Sequence, residues 1–220
     1  DEIGEREVGV GEVLVDHLEQ YFADADVAAF GDASLEDLHG AAVQHHRLGA
    51  TRAAGQAQVA LYTPDFDRHG WHNSHTVLDI VTDDMPFLVD SVTQAIYRHG
   101  LTIHHIMHPL LGIERDAKGA LVKTHERGAA GSHTESWIHI EFDRISDPAQ
   151  VDALRQDVEA VLADVRATVE DAEPMRQRIQ DAIASLQGTS DHAEISDFLK
   201  WVADGNFVFL GYAHYTVAPG

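Results

Sequence analysis

Cysteine is absent from this chain, which excludes disulfides, thiolate zinc sites and a cysteine nucleophile within it. Lysine is scarce: only Lys118, Lys123 and Lys200 occur, and none lies in a Gly-rich or apolar stretch that would lower its pKa for catalysis. No apolar run is long enough to span a membrane, and no charged-then-apolar signal segment opens the chain. No Gly-x-Gly-x-x-Gly opens a helix after a strand, and Gly9-Val10-Gly11 is too short a match for a dinucleotide site. A P-loop, a Gly-x-Ser-x-Gly, an internal repeat and a low-complexity tract are also missing. Positive charge is outweighed, with 15 Lys and Arg against 37 Asp and Glu and a formal net charge of −22. That field repels nucleic acid and anionic membranes, so neither is expected as a partner. The acidity supports a well-solvated surface and, as a sharper reading, adaptation to high salt. A cytoplasmic location is expected.

What is present fits a globular chain. Its 220 residues, 44% hydrophobic, suffice for one ordinary domain and part of a second. It begins with Asp1 and ends with Ala218-Pro219-Gly220 after a strand-like run, so a piece of a longer product is expected.

Residues 10–23 place Val10, Val13, Leu14, Leu18, Tyr21 and Phe22 at helical spacing. A second helix is expected over 34–53, capped by Ser34 with Glu36 and Asp37 in its first turn. Residues 56–63 read as a short strand and 65–74 as a loop. A strand over 75–82 puts Leu78 and Ile80 on one face and Val77, Asp79 and Val81 on the other. A helix over 85–99 then buries Leu88, Val92, Ala95 and Ile96, with Asp84 as expected N-cap, Pro86 in the first turn and Gly100 just past the end. Strands over 101–114, 120–126 and 134–145 follow, then a helix opened by Asp147-Pro148. The order strand, helix, strand, strand, helix predicts an α+β, ferredoxin-like sandwich with flanking helices. Its fourth strand is open between residues 56–63 and a later segment.

Four regions are expected: a helical segment over 1–55, the α+β domain over 56–171, a helical connector over 172–205, and over 206–220 the first strand of a following domain. The connector holds a helix from Pro174 to Leu186 and another, capped by Ser190 or Asp191, carrying Ile195, Phe198, Leu199 and Val202. Phe207–Tyr212 is the expected strand.

Sixteen histidines invite a metal reading. His69, His72 and His75 are spaced by three in a loop, His45 and His46 pair in a helix, and His104, His105 and His108 share a strand. If the strands over 101–114 and 134–145 are neighbours, His104, His139 and Glu141 meet; otherwise they are polar residues of an outer sheet face. The second case is the expected one, and no metal is assigned. Trp137 is read on that face with Ile106 and Leu110, covered by the N-terminal helices or by another domain or subunit, so Trp137, His139 and Glu141 form a candidate interface. Asp79, between Leu78 and Ile80, needs a solvated face or a partner. The turn Asp83-Asp84-Met85-Pro86-Phe87 is a second candidate site, because a strand-to-helix turn aims backbone N–H groups at one point.

Together these residues carry a resemblance. Gly70-Trp71, His75-Thr76-Val77, the run Asp83-Asp84-Met85-Pro86-Phe87-Leu88-Val89-Asp90-Ser91-Val92, His108-Pro109, Arg115-Asp116 with Gly119, Glu135–Glu141 and Asp204–Tyr212 resemble, in order, the N-terminal region of the large bacterial NAD-specific glutamate dehydrogenases. The resemblance implies an ACT-like domain with no catalytic or cofactor-binding residue of its own. It implies a role in regulation or oligomerisation, with other domains and subunits of the same enzyme as partners. The parent would oxidise glutamate to 2-oxoglutarate and ammonia with NAD, bound elsewhere. ACT domains often bind an amino-acid effector at the first strand–helix turn, here Asp83, Asp84, Met85, Pro86, Phe87 and Asp90. Asp84, Pro86 and Leu88 match the family pattern in kind, but Phe87 stands where glycine is usual.

Overall fold

The computed structural model describes residues 13–23, 34–186 and 192–216. The expectations at Gly9-Val10-Gly11, at the Ser190 or Asp191 cap and at Ala218–Gly220 lie outside them. The chain divides into two compact units, Asp1–Leu162 and Ala163–Gly220.

The first unit holds helices α1 (residues 13–21) and α2 (Leu35–Gly49), strand β1 (Gln58–Tyr62), the single turn α3 (Phe66–His69), β2 (Thr76–Asp83), α4 (Leu88–Arg98), β3 (Ile103–Met107), β4 (Leu110–Arg115), β5 (Leu121–His125) and β6 (His133–Phe142). Helix α5 (Pro148–Glu170) begins in it. All strand pairs are antiparallel, in the order β1-β2-β6-β4-β5, with β3 also beside β6. This is the expected α+β arrangement, and the open question of the fourth strand is answered: β1, from residues 56–63, lies on the outer side of β2.

Helix α2 starts where Ser34 Oγ accepts the Asp37 N–H at 3.1 Å. Glu36 and Asp37 face its positive end and His46 and Arg47 its negative end. Its buried residues, Ala41, Ala42, His45 and Gly49, share one side, and Ala41, Ala42 and Gly49 are small enough to bring the helix close to the sheet. The left-handed Gly100 (φ 72°) follows α4 as expected, its N–H donating to the Tyr97 carbonyl at 2.9 Å.

Alternation along β2 and β6 gives the sheet two buried faces. Leu78 faces Ile140 and Ile80 faces Ile138 on one of them, while Asp79 faces His139 and Val81 faces Trp137 on the other. Helices α4 and α5 contribute the buried Leu88, Val92, Ile96, Leu154 and Val158, each worth about 1.5–3 kcal/mol of burial. Tyr21 of α1 and Ala42 of α2 pack with Val81, Leu111, Ile113 and Trp137. The cover over Trp137 is thus the N-terminal helices of this same chain.

Three local expectations are corrected. Residues 101–114 form two strands, because Pro109 has no N–H to donate to a ladder; β3 pairs with one end of β6 and β4 with the other. A register shift between Ile103 and His105 then sets Ile106 opposite Ile140 and Leu110 opposite Ser136, away from Trp137. The neighbours of Trp137 are Leu111, Ile113 and Met107 instead. Helix α4 begins at Leu88, with Phe87 at the N-cap and no side-chain cap, so Asp84 does not cap it. The Asp84 N–H still donates to the Thr134 carbonyl at 3.2 Å, which holds Asp84 in the sheet and leaves Pro86 ahead of the helix.

The second unit holds α6 (Ala172–Ser185) and α7 (His192–Trp201), the latter running into a wider turn over Val202–Asn206. Phe207–Tyr212 joins no ladder among the described residues. An extended segment becomes a strand only against a partner edge. Its residues Phe207, Val208, Leu210 and Tyr212 are exposed. No helix among the described residues is long and apolar enough to cross a membrane.

Candidate functional site

Beneath α1 and α2, the sheet face carries polar side chains that a sequence pattern would leave to solvent. Asp79 (0% exposed) on β2 and His139 (2%) on β6 are register partners, and His45 (0%) of α2 lies over them. His139 Nδ1–H donates to Asp79 Oδ1 at 2.6 Å, and its Nε2–H to Glu141 Oε1 at 3.4 Å. The Tyr62 hydroxyl donates to Asp79 Oδ2 at 2.8 Å. His45 Nε2–H donates to the Ile80 carbonyl at 3.1 Å, which leaves its Nδ1 to accept the Tyr21 hydroxyl at 2.9 Å.

These partners set the charges. Burial opposes a cation on His139, but Asp79 and Glu141 outweigh it and raise its pKa to about 9. Burial would lift Asp79; the two imidazoles and the hydrogen bonds from His139 and Tyr62 hold it below its ordinary value. Burial likewise opposes the Glu141 carboxylate, and hydrogen bonds from His139, Asn73 and His75 bring it down to about 2. His45 is lowered by burial despite Asp79 and is neutral. The centre therefore holds one imidazolium between two carboxylates, beside a neutral histidine. The three ligand-type atoms of His45, Asp79 and His139 lie within 4.8 Å of one another.

The conditional meeting of His104 with His139 and Glu141 does not occur. Strands β3 and β6 are neighbours, but the register shift turns His104 to Asp143, its Nε2 lying 2.8 Å from Oδ1. Its ring stacks on His75 at 4.2 Å. Of the candidate interface residues, Trp137 and His139 are sealed inside the chain and Glu141 is mostly covered.

The turn after β2 is committed internally. Asp83 Oδ1 accepts from Arg52 Nη2 at 2.6 Å, and Asp84 Oδ1 accepts from Ser136 Oγ at 2.9 Å. Arg52 also donates to Glu135 Oε1 at 2.7 Å, while Arg115 grips Glu135 through Nε and Nη2 at 2.7 and 2.8 Å. Met85 is half-buried; Pro86, Phe87 and Asp90 are exposed. Among the described residues Phe87 is the non-glycine residue with positive φ (72°), a conformation that costs about 1–2 kcal/mol for a residue with a Cβ. The backbone there has the shape a glycine would favour.

Sequence reasoning flagged Asp79 as needing a partner and paired His45 with His46, but it missed that His45, Asp79 and His139 converge, and it missed Tyr21, Tyr62, Arg52 and Arg115. The available signal was Asp79 between Leu78 and Ile80 in β2 and His139 between Ile138 and Ile140 in β6.

Layout and site together define an ACT-like α+β domain. The family model for the ACT1 domain of glutamate dehydrogenase matches residues 17–158, and the chain belongs to that family. It is 36% identical over 206 residues to an NAD-specific glutamate dehydrogenase of Halomonas elongata, covering 90% of this chain and 13% of that protein. It is 33% identical over 208 residues to the protein of that name from Pseudomonas aeruginosa, covering 91% of this chain and 13% of that protein. With its Mycobacterium tuberculosis counterpart it shares 29% over 185 residues, or 80% of this chain and 11% of that one. The chain thus spans about an eighth of the length of the first two relatives.

Proposed function

We propose that this chain is a non-catalytic module that assembles and regulates a large NAD-specific glutamate dehydrogenase. The parent's reaction, glutamate and NAD to 2-oxoglutarate and ammonia, and its NAD site are assigned to other parts of that protein. Its partners are other domains and subunits of the same enzyme. One observation carries the assembly role over ligand sensing: the carboxylates of the Asp83–Phe87 turn are held by Arg52 and Ser136, while Phe87 is 42% exposed. A strained turn that displays an aromatic ring suits a contact better than a cradle. The second reading, an amino-acid effector bound at this turn, draws support from the absent side-chain cap, which leaves first-turn N–H groups of α4 open.

The test uses the full-length enzyme carrying this region. Phe87→Ala is expected to weaken assembly by light scattering, and calorimetric titration with a panel of amino acids is expected to give no saturable heat at this turn. Unchanged assembly together with saturable binding lost in Asp84→Ala favours the effector reading. If deleting residues 34–162 alters neither assembly nor the response to effectors, both readings fail.

A further inference from the structure

We propose that His45, Asp79 and His139 form a closed structural site for one zinc-class divalent cation. Nothing in the regulatory reading requires it, and it stands or falls separately. The three residues come from α2, β2 and β6, and one ligand atom of each lies within 4.8 Å of the other two; Asp79 Oδ1 is 3.8 Å from His45 Nδ1 and 2.6 Å from His139 Nδ1. Two imidazoles and a carboxylate suit zinc, and a donor set dominated by nitrogen disfavours magnesium and calcium.

The stronger argument lies behind the ligands. A metal-bound histidine ordinarily donates its other ring N–H to a carboxylate or backbone carbonyl. Here His45 does so to the Ile80 carbonyl at 3.1 Å and His139 to Glu141 at 3.4 Å. Asp79 is held through its second oxygen by the Tyr62 hydroxyl at 2.8 Å. All three donors are thus oriented from behind, which a simple buried ion pair does not require of His45. A metal on His45 Nδ1 displaces the hydrogen bond that the Tyr21 hydroxyl donates there at 2.9 Å and leaves that hydroxyl beside the ion.

The separations fit a small cation after a modest adjustment. His45 Nδ1 and Asp79 Oδ1 are 3.8 Å apart, a span that ligand bonds of about 2.0–2.2 Å bridge. The 2.6 Å contact between Asp79 and His139 now encloses a proton and widens when a metal replaces it. That replacement releases the Nδ1 proton of His139. Because all three ligands are sealed, the cation enters as the chain folds and ties α2 to the sheet.

The test refolds the 220-residue chain with one equivalent of Zn2+ or Co2+, desalts it, and reads native mass and visible absorption. One ion per chain is expected, with the intense visible bands of four-coordinate Co2+ and a higher melting temperature than chain refolded with chelator. Asp79→Asn and His139→Gln are expected to lose the ion. Glu141→Gln, which keeps every ligand and leaves the core filled, is expected to bind about tenfold or more weakly with an unchanged circular dichroism spectrum. Where the ligand variants do not fold, the wild-type stoichiometry and Glu141→Gln decide. Metal-free wild-type chain after refolding, weak octahedral Co2+ bands from surface histidines, or full retention by His139→Gln each overturn the proposal.

Discussion

Replacing Glu135 by glutamine would remove one charge and almost no volume, and it tests whether the Arg52–Glu135–Arg115 group secures the sheet. Glu135 is 1% exposed and accepts three hydrogen bonds from guanidinium groups at 2.7–2.8 Å. Glutamine keeps one acceptor oxygen and turns its NH2 group toward N–H donors, so at least one bond becomes a donor–donor contact. Charge-assisted bonds are worth about 1.5–3 kcal/mol each, and removing one member of a buried pair costs about 3–5 kcal/mol. Afterwards Arg52 retains Asp83, while Arg115 retains the Gly49 and Gly119 carbonyls at 2.9 Å. We expect Glu135→Gln to lose about 3–5 kcal/mol. Asp83→Asn, at a carboxylate 34% exposed, is expected to lose no more than about 1 kcal/mol. Urea unfolding followed through tryptophan fluorescence would show the first as a fall of about 2 M in midpoint at unchanged slope. A Glu135→Gln chain within about 1 kcal/mol of wild type would refute the assignment of a stabilising role to this group.

Two further outcomes are expected. A Cβ added at Gly49 would lie 2.1 Å from Cη2 of the buried Trp137; Gly49→Ala should destabilise by about 1–3 kcal/mol and alter the near-ultraviolet circular dichroism of tryptophan, although alanine is the better helix former by about 1 kcal/mol. Unchanged melting would show that the ring can move aside. His17, whose pKa burial and then His46 lower from 6.5 to about 2, is neutral in the fold and takes up a proton on unfolding. Its contribution is complete above pH 6.5 and is lost progressively as pH falls below it toward 2. His17→Leu should flatten the fall of stability between pH 6.5 and 5, and an unchanged slope counts against this origin.

The strand and helix order was legible because each element carries its own period: Leu78 and Ile80 against Asp79 in β2, and Leu88, Val92, Ala95 and Ile96 in α4. The cap of α4 was misread because Asp84 and Pro86 fit the local rule for a helix start, while the ladder to Thr134 holds Asp84 in the sheet. The outer-face neighbours of Trp137 were misplaced because a bulge between Ile103 and His105 shifts the register by one, and one residue reverses every side chain. The buried centre was half visible. A lone Asp79 in an apolar strand asks for a partner, but finding His139 requires knowing that β2 lies beside β6. His45 comes from a helix and lies 35 residues before Ile80, whose carbonyl it bonds, and no local pattern reports that.

Filling the fourth strand place from upstream also changes the order of events in making the domain. Asp79 and His139, opposite one another in the central ladder, are 60 residues apart in the chain. Pairings at that separation close slowly. Helices α1 and α2 precede the sheet in the chain, yet the face they cover is incomplete until β6 is in place. A growing chain therefore carries Tyr21 and the small-residue side of α2 without their full shelter until β6 has been synthesised. Once β6 docks, sheet and lid close together, and no described ladder waits on anything beyond Phe142.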